Sequence, residues 1–265
     1  MEPFYFGQEP RQLFGVYHPP DGALVRRVGV VLCYPVGQEY IRAHRAFLQL
    51  AQLLAGRGFS ILRFDYYGCG DSLGDCDQGT PSQWIADIST AVDELRNTGV
   101  EQTVLIGLRW GAALALACGA QRGDVAAVVS WQPVVNGAAY LRELREAHRV
   151  WLAGSFAKPN RGASQGNSDE VLGFPIPPSA ASEYDTFDLR ALTRWPAPRV
   201  LLLENHSGVQ SHDLAEHLES LDVAVTSVCI PYPALWEKGD RPETKGVVPV
   251  QALDFLGAWM AEAFP

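Results

Sequence analysis

No stretch of this 265-residue sequence is long and apolar enough to span a bilayer. No basic-then-apolar leader opens it, since Met1-Glu2-Pro3-Phe4-Tyr5-Phe6 is short and carries an acid. Basic residues are outnumbered by acidic ones, 21 to 30, for a net charge of -9. That balance disfavours nucleic acid and anionic membranes as partners and suits a soluble surface. The five cysteines, at positions 33, 69, 76, 118 and 229, are odd in number and scattered. They form neither a disulfide framework nor a metal-ligand spacing, which fits reduced thiols in a cytoplasmic protein. Neither a metal nor a cofactor is expected, and no internal repeat is present.

The rest has the composition of a globular protein: 47% apolar residues, a mean hydropathy near zero, and 18 prolines and 25 glycines to build loops. Phe4–Phe6 and Leu13–Tyr17 read as an antiparallel edge hairpin. Val28–Tyr34, Phe59–Asp65, Thr103–Ile106, Val125–Trp131, Arg199–Glu204 and Val223–Ile230 read as further strands, several of them continuous apolar runs covered on both faces. Helical patterns fall between them: His44–Gly56, Ser82–Arg96 opened by Thr80-Pro81, the run from Ala112, His212–Ser220 and Val250–Ala263. This alternation predicts a mostly parallel, doubly wound α/β sheet.

One segment interrupts the pattern after the sixth strand. Residues 137–195 read as an insertion capping a core made of 1–136 and 196–265. Within it Ala138–Leu152 is an amphipathic helix, Lys158–Glu170 is a polar loop with little to bury, and Phe174-Pro175-Ile176-Pro177-Pro178 is extended.

The most informative stretch is Gly107-Leu108-Arg109-Trp110-Gly111, between a buried strand and a buried helix. Strand, sharp G-x-S-x-G turn and helix make the nucleophile elbow of α/β-hydrolases. Here arginine fills the nucleophile slot, and arginine stays protonated at any working pH. Either Arg109 pairs with an internal carboxylate (Glu39, Glu204, Asp213 and Glu237 are candidates) or its fork holds a ligand carboxylate or phosphate. In such a fold the loop Cys33–Glu39 and the residue after the nucleophile supply oxyanion-binding amides, here those of Val36 and Trp110 beside Tyr34. The loop Asp65-Tyr66-Tyr67-Gly68-Cys69-Gly70-Asp71-Ser72 reads as a tight structural return, with Cys69 as an alternative nucleophile that lacks a base neighbouring it in sequence.

The partners of a Ser-His-Asp mechanism are also missing from their places. The acid belongs near Glu204–Gly208, which has no clear motif. The base belongs after the last strand, yet none of the histidines (18, 44, 148, 206, 212 and 217) lies beyond 217. Two missing members of the triad argue against that chemistry. His44 and Glu39 are the proton carriers nearest the first loop.

The segments Tyr34-Pro35-Val36-Gly37-Gln38-Glu39, Asp65-Tyr66-Tyr67-Gly68-Cys69-Gly70-Asp71-Ser72, Gly107-Leu108-Arg109-Trp110-Gly111-Ala112 and Trp131–Gly137 resemble α/β-hydrolases of the serine-aminopeptidase-like type. They are similar, more narrowly, to the second hydrolase associated with exosortase A systems and to related proteins of biosynthetic clusters. The resemblance spans roughly Phe14 to Leu152. It implies an α/β-hydrolase fold acting on a small-molecule or peptide substrate in a bacterial biosynthetic pathway. With Arg109 at the elbow, the expected ligand is a small anionic or acyl-type molecule and the expected step is non-hydrolytic: isomerisation, epimerisation or cyclisation. The alternatives are a non-catalytic partner of a pathway enzyme or a homodimer, and a hydrolase with an unusual nucleophile.

Overall fold

The computed structural model describes residues 1–21, 24–154, 169–206, 209–232, 234 and 248–265. Its centre is an eight-stranded sheet. In chain order the strands are β1 (Glu2–Phe6), β2 (Leu13–His18), β3 (Val28–Cys33), β4 (Ser60–Phe64), β5 (Gln102–Leu108), β6 (Ala127–Trp131), β9 (Arg199–Glu204) and β10 (Ala224–Cys229), with β7 and β8 lying in the insertion. Their spatial order is β1-β2-β4-β3-β5-β6-β9-β10. The β1–β2 and β2–β4 pairings are antiparallel and all others parallel. The central strands β3, β4 and β6 are buried along their whole length, so their apolar runs face helices on both sides.

Helices α1 (Gly37–Gly56) and α7 (Val250–Ala263) pack together on one face; α2 (Pro81–Arg96) and α3 (Trp110–Arg122) pack together on the other. The start of α2 follows from its sequence: Thr80 caps the amide of Gln83 at 3.3 Å, and Pro81 stands where its missing N–H costs nothing. Helix α6 (Val209–Ser220) packs on β10.

Helix α1 begins seven residues before the expected His44. Its first two turns hold Gln38, Glu39 and Arg42, so apolar periodicity does not announce them; Glu39 is nevertheless buried, through an ion pair described below. The insertion also holds more regular structure than expected. After α4 (Gly137–Gly154), strands β7 (Asp169–Val171) and β8 (Phe174–Ile176) form an antiparallel hairpin, and α5 (Pro178–Thr186) follows. The extended reading of Phe174–Pro178 is thus corrected at its end, where Pro178 is the first residue of a helix. Of the expected polar loop, residues 158–168 lie outside the described residues, and Asp169 and Glu170 belong to β7. The two stems of the insertion run side by side: Asn136 bridges Asp188, the Gly137 amide donates to the Phe187 carbonyl at 2.9 Å, and the Leu189 amide to that of Val135 at 2.9 Å.

Candidate functional site

Strands β3 and β5 are parallel neighbours, with Cys33 opposite Gly107, so the loops leaving their carboxyl ends emerge together. This is where open α/β sheets place their sites. The turn after β5 needs both of its glycines. A Cβ on Gly111 would lie 2.2 Å from the Cys33 carbonyl oxygen, and one on Gly107 would lie 2.4 Å from that of Gly111. Between them Arg109 sits at φ 53°, ψ -118°, a backbone state costing roughly 1–3 kcal/mol for a residue with a Cβ. Bonds from the Arg109 amide to the Trp131 carbonyl (2.9 Å), and to the Arg109 carbonyl from Ala112 (3.1 Å), hold it there. The elbow geometry survives although its side chain is a guanidinium.

That guanidinium is buried and engaged. Its Nε donates to Glu39 Oε1 at 3.2 Å, and a terminal nitrogen donates to Glu143 Oε1 at 2.5 Å. Its carbon lies 5.4 Å from the centroid of the Tyr140 ring, whose hydroxyl donates to Glu39 Oε2 at 2.9 Å. Burial pushes the Glu39 carboxyl above the ordinary carboxylate range, although Arg109 and Tyr140 pull it back. Of the four carboxylates proposed from sequence, Glu39 pairs with Arg109 among the described residues. Glu204 instead accepts from Ser211, and Glu237 lies outside the described residues. Glu143 was not foreseen: it is a charged position on an amphipathic helix, and only the docking of α4 brings it to the elbow. Trp110 is fully buried and packs its indole against Tyr140, Tyr184 and Phe187, with centroids 5.5, 4.5 and 4.8 Å away.

Beside this network lies a cavity of about 290 Å³. One wall is the β3–α1 loop with Tyr34, Pro35 and Val36; another is the β4–α2 loop with Asp65, Tyr66 and Cys69. Trp84 of α2 also lines it, as do Leu144, Phe174, Ile176 and Tyr184 from the segment between β6 and β9. Of the candidate site residues singled out in the sequence, Tyr34, Val36 and the alternative nucleophile Cys69 line the cavity. Arg109, Trp110, Glu39 and His44 are not among its described lining residues. His44 is exposed on α1, its ring 6.1 Å from those of Tyr34 and Tyr40. Burial pushes the Cys69 thiol up to about 12, so it stays protonated and is a poor nucleophile at neutral pH. Asp65, also raised by burial, accepts from the Tyr40 hydroxyl at 2.8 Å and the Asp71 amide at 2.9 Å, which ties the β4–α2 loop to α1.

The other histidines are placed as follows. Buried His18 accepts from Arg63 Nε at 3.0 Å, His148 Nδ1 accepts from the Leu172 amide at 3.0 Å, and His212 faces Glu216 at 3.2 Å. His217 lies 2.9 Å from the Leu192 carbonyl, and His206 is exposed after β9. Most of the stretch that would follow β10, residues 235–247, lies outside the described residues. Among the described residues no cluster of His, Cys, Asp and Glu could hold a metal ion, and no helix is long and apolar enough to cross a membrane.

Comparison with solved structures agrees with the strand order. The esterase Est1E from Butyrivibrio proteoclasticus superposes with a TM-score of 0.69 at 16% identity, covering 98% of each chain. The fold is that of the α/β-hydrolases. The proline iminopeptidase of Mycobacterium smegmatis superposes with a TM-score of 0.63 at 13% identity, covering 99% of this chain and 98% of that one. At these identities the likeness concerns architecture. A family model described as serine aminopeptidase S33 matches residues 40–171, just under half of this chain. A curated proline iminopeptidase from Lactobacillus delbrueckii subsp. bulgaricus is 25% identical over 135 residues, 49% of this chain and 45% of the relative. The match therefore spans less than half the length of that relative.

Proposed function

We propose that this α/β-hydrolase-fold protein does not hydrolyse its ligand through the elbow. It binds a small acyl-type molecule in the cavity beside the elbow, under the 137–195 insertion acting as a cap, and serves a non-hydrolytic step. The observation that carries this reading is the Arg109–Glu39–Glu143 network: a cation that cannot attack a carbonyl stands at the nucleophile position, held by two carboxylates. Isomerisation, epimerisation and cyclisation need a proton carrier and no nucleophile. Glu39, whose buried carboxyl takes up a proton more readily than usual, is the acid–base group to test first, with His44, exposed on α1, the second. The Val36 and Trp110 amides are the candidates for holding developing negative charge. The motif resemblance to exosortase-associated hydrolases supports a place in a bacterial biosynthetic pathway.

A second reading has one observation in its favour. The ion pairs that close around Arg109 also suit a scaffold that contacts a pathway enzyme and turns nothing over. The cavity favours the ligand-binding reading over it.

The experiment is a panel of p-nitrophenyl esters, thioesters and aminoacyl anilides tested against the wild type, Arg109→Ser and Cys69→Ala. We expect no turnover above background in any of them, because a serine at 109 would still lack a base. Turnover by the wild type that Cys69→Ala abolishes, or an acyl-enzyme burst from Arg109→Ser, would overturn the reading.

A further inference from the structure

The charge of the cavity wall narrows the ligand class. This inference rests on the cavity being the ligand site, as proposed above. The described lining includes several aromatic side chains, among them Tyr34, Phe64, Trp84 and Phe174. Tyr66 and Tyr184 add their rings, while their hydroxyl oxygens are shielded from solvent. No Lys, Arg or His is among the described lining residues; the acidic residues there are Asp65 and Asp75.

Among the described lining residues an anionic ligand would meet two carboxylates and no cation to compensate its desolvation. The nearest guanidinium, Arg109, already holds Glu39 and Glu143 and does not line the cavity. A cationic ligand fares little better. The Asp65 carboxylate is committed to the Tyr40 hydroxyl and the Asp71 amide, and Asp75 is exposed to water.

We infer that the cavity binds an uncharged, largely apolar molecule carrying a ring, and that it discriminates against both carboxylates and amines of the same shape. Aromatic side chains in the lining favour stacked or edge-on packing of such a ligand. A volume of about 290 Å³ admits a single ring with a short side chain.

Three probes of nearly equal shape separate the possibilities: phenylacetone (neutral), phenylacetate (anion) and phenethylamine (cation). Each is titrated into the full chain at pH 7.5 by isothermal calorimetry and by ligand-observed NMR. Phenylacetone should bind saturably, and both ions at least tenfold more weakly. Ile176→Trp, which enlarges a lining side chain, should weaken phenylacetone binding at least tenfold, and a thermal melt within a few degrees of wild type shows that the variant folds. Either ion binding within tenfold of the ketone would overturn the inference and leave the cavity reading intact. Unchanged phenylacetone affinity in a folded Ile176→Trp would place the ketone elsewhere and overturn the inference too. Should none of the three probes saturate at millimolar concentration, the cavity reading itself falls and takes the inference with it.

Discussion

Replacing Arg109 with methionine keeps most of the stem and the strained backbone while removing the charge. Glu39, 4% exposed, is then left with the Tyr140 hydroxyl and no cation at 3.2 Å. Breaking a buried ion pair by removing one partner typically costs about 3–5 kcal/mol, a large share of the roughly 5–15 kcal/mol that stabilises a domain. The cost should depend on pH in a definite direction. Burial already raises the Glu39 carboxyl above its unfolded value, so the folded state holds the extra proton and stability falls as pH rises through that window. Without Arg109 the upward displacement grows and the window widens. Stability of the variant should therefore fall, by up to about 1.4 kcal/mol per pH unit, from the ordinary carboxylate range upward. Urea unfolding of wild type, Arg109→Met, Glu39→Gln and the double variant at pH 5, 6.5 and 8 measures this. The double variant, with no carboxylate stranded beside the missing cation, should recover at least about 2 kcal/mol of the sum of the single losses at pH 8. If Arg109→Met stays within about 1 kcal/mol of wild type at all three pH values, the network does not hold the elbow as described.

Two further outcomes follow from the same geometry. Gly111→Ala should prevent folding or cost several kcal/mol, because its Cβ would lie 2.2 Å from a backbone oxygen of β3, and a melt near the wild-type temperature would refute the close approach. Buried His18, with its pKa lowered to about 4 by burial and by Arg63, binds its proton more readily unfolded than folded, so stability should drop as pH falls from about 6.5 towards 4. His18→Gln, which keeps an acceptor for Arg63, should remove on the order of 2 kcal/mol of that acid loss in urea titrations, and an unchanged pH profile would count against it.

The architecture could be read from the chain because its signals are local. Short continuous apolar runs such as Val28–Cys33, bounded by turn residues, mark strands covered on both faces, and the glycines around Arg109 mark a tight turn. Sequence also fixed that a cation stands at the elbow and that no histidine follows residue 217. What Arg109 touches was not legible. Glu39 was one of four candidates, and Glu143 was an ordinary charge on an amphipathic helix; nothing local distinguishes a carboxylate that will be desolvated from one that stays in water. The first two turns of α1 and the whole of α5 escaped for a related reason. Their faces are covered by ion pairing and by neighbouring elements more than by an apolar stripe, so periodicity carries little trace of them.

The cavity shows the same division. Its rings come from the β3–α1 loop, the β4–α2 loop, α2 and the insertion, up to 150 residues apart in the chain, from Tyr34 to Tyr184. The sequence determined which backbone turns and strands exist, since those depend on neighbours a few residues away. Only the tertiary structure decided which charges meet and which side chains enclose a space, because burial strips water from groups that the chain itself keeps far apart.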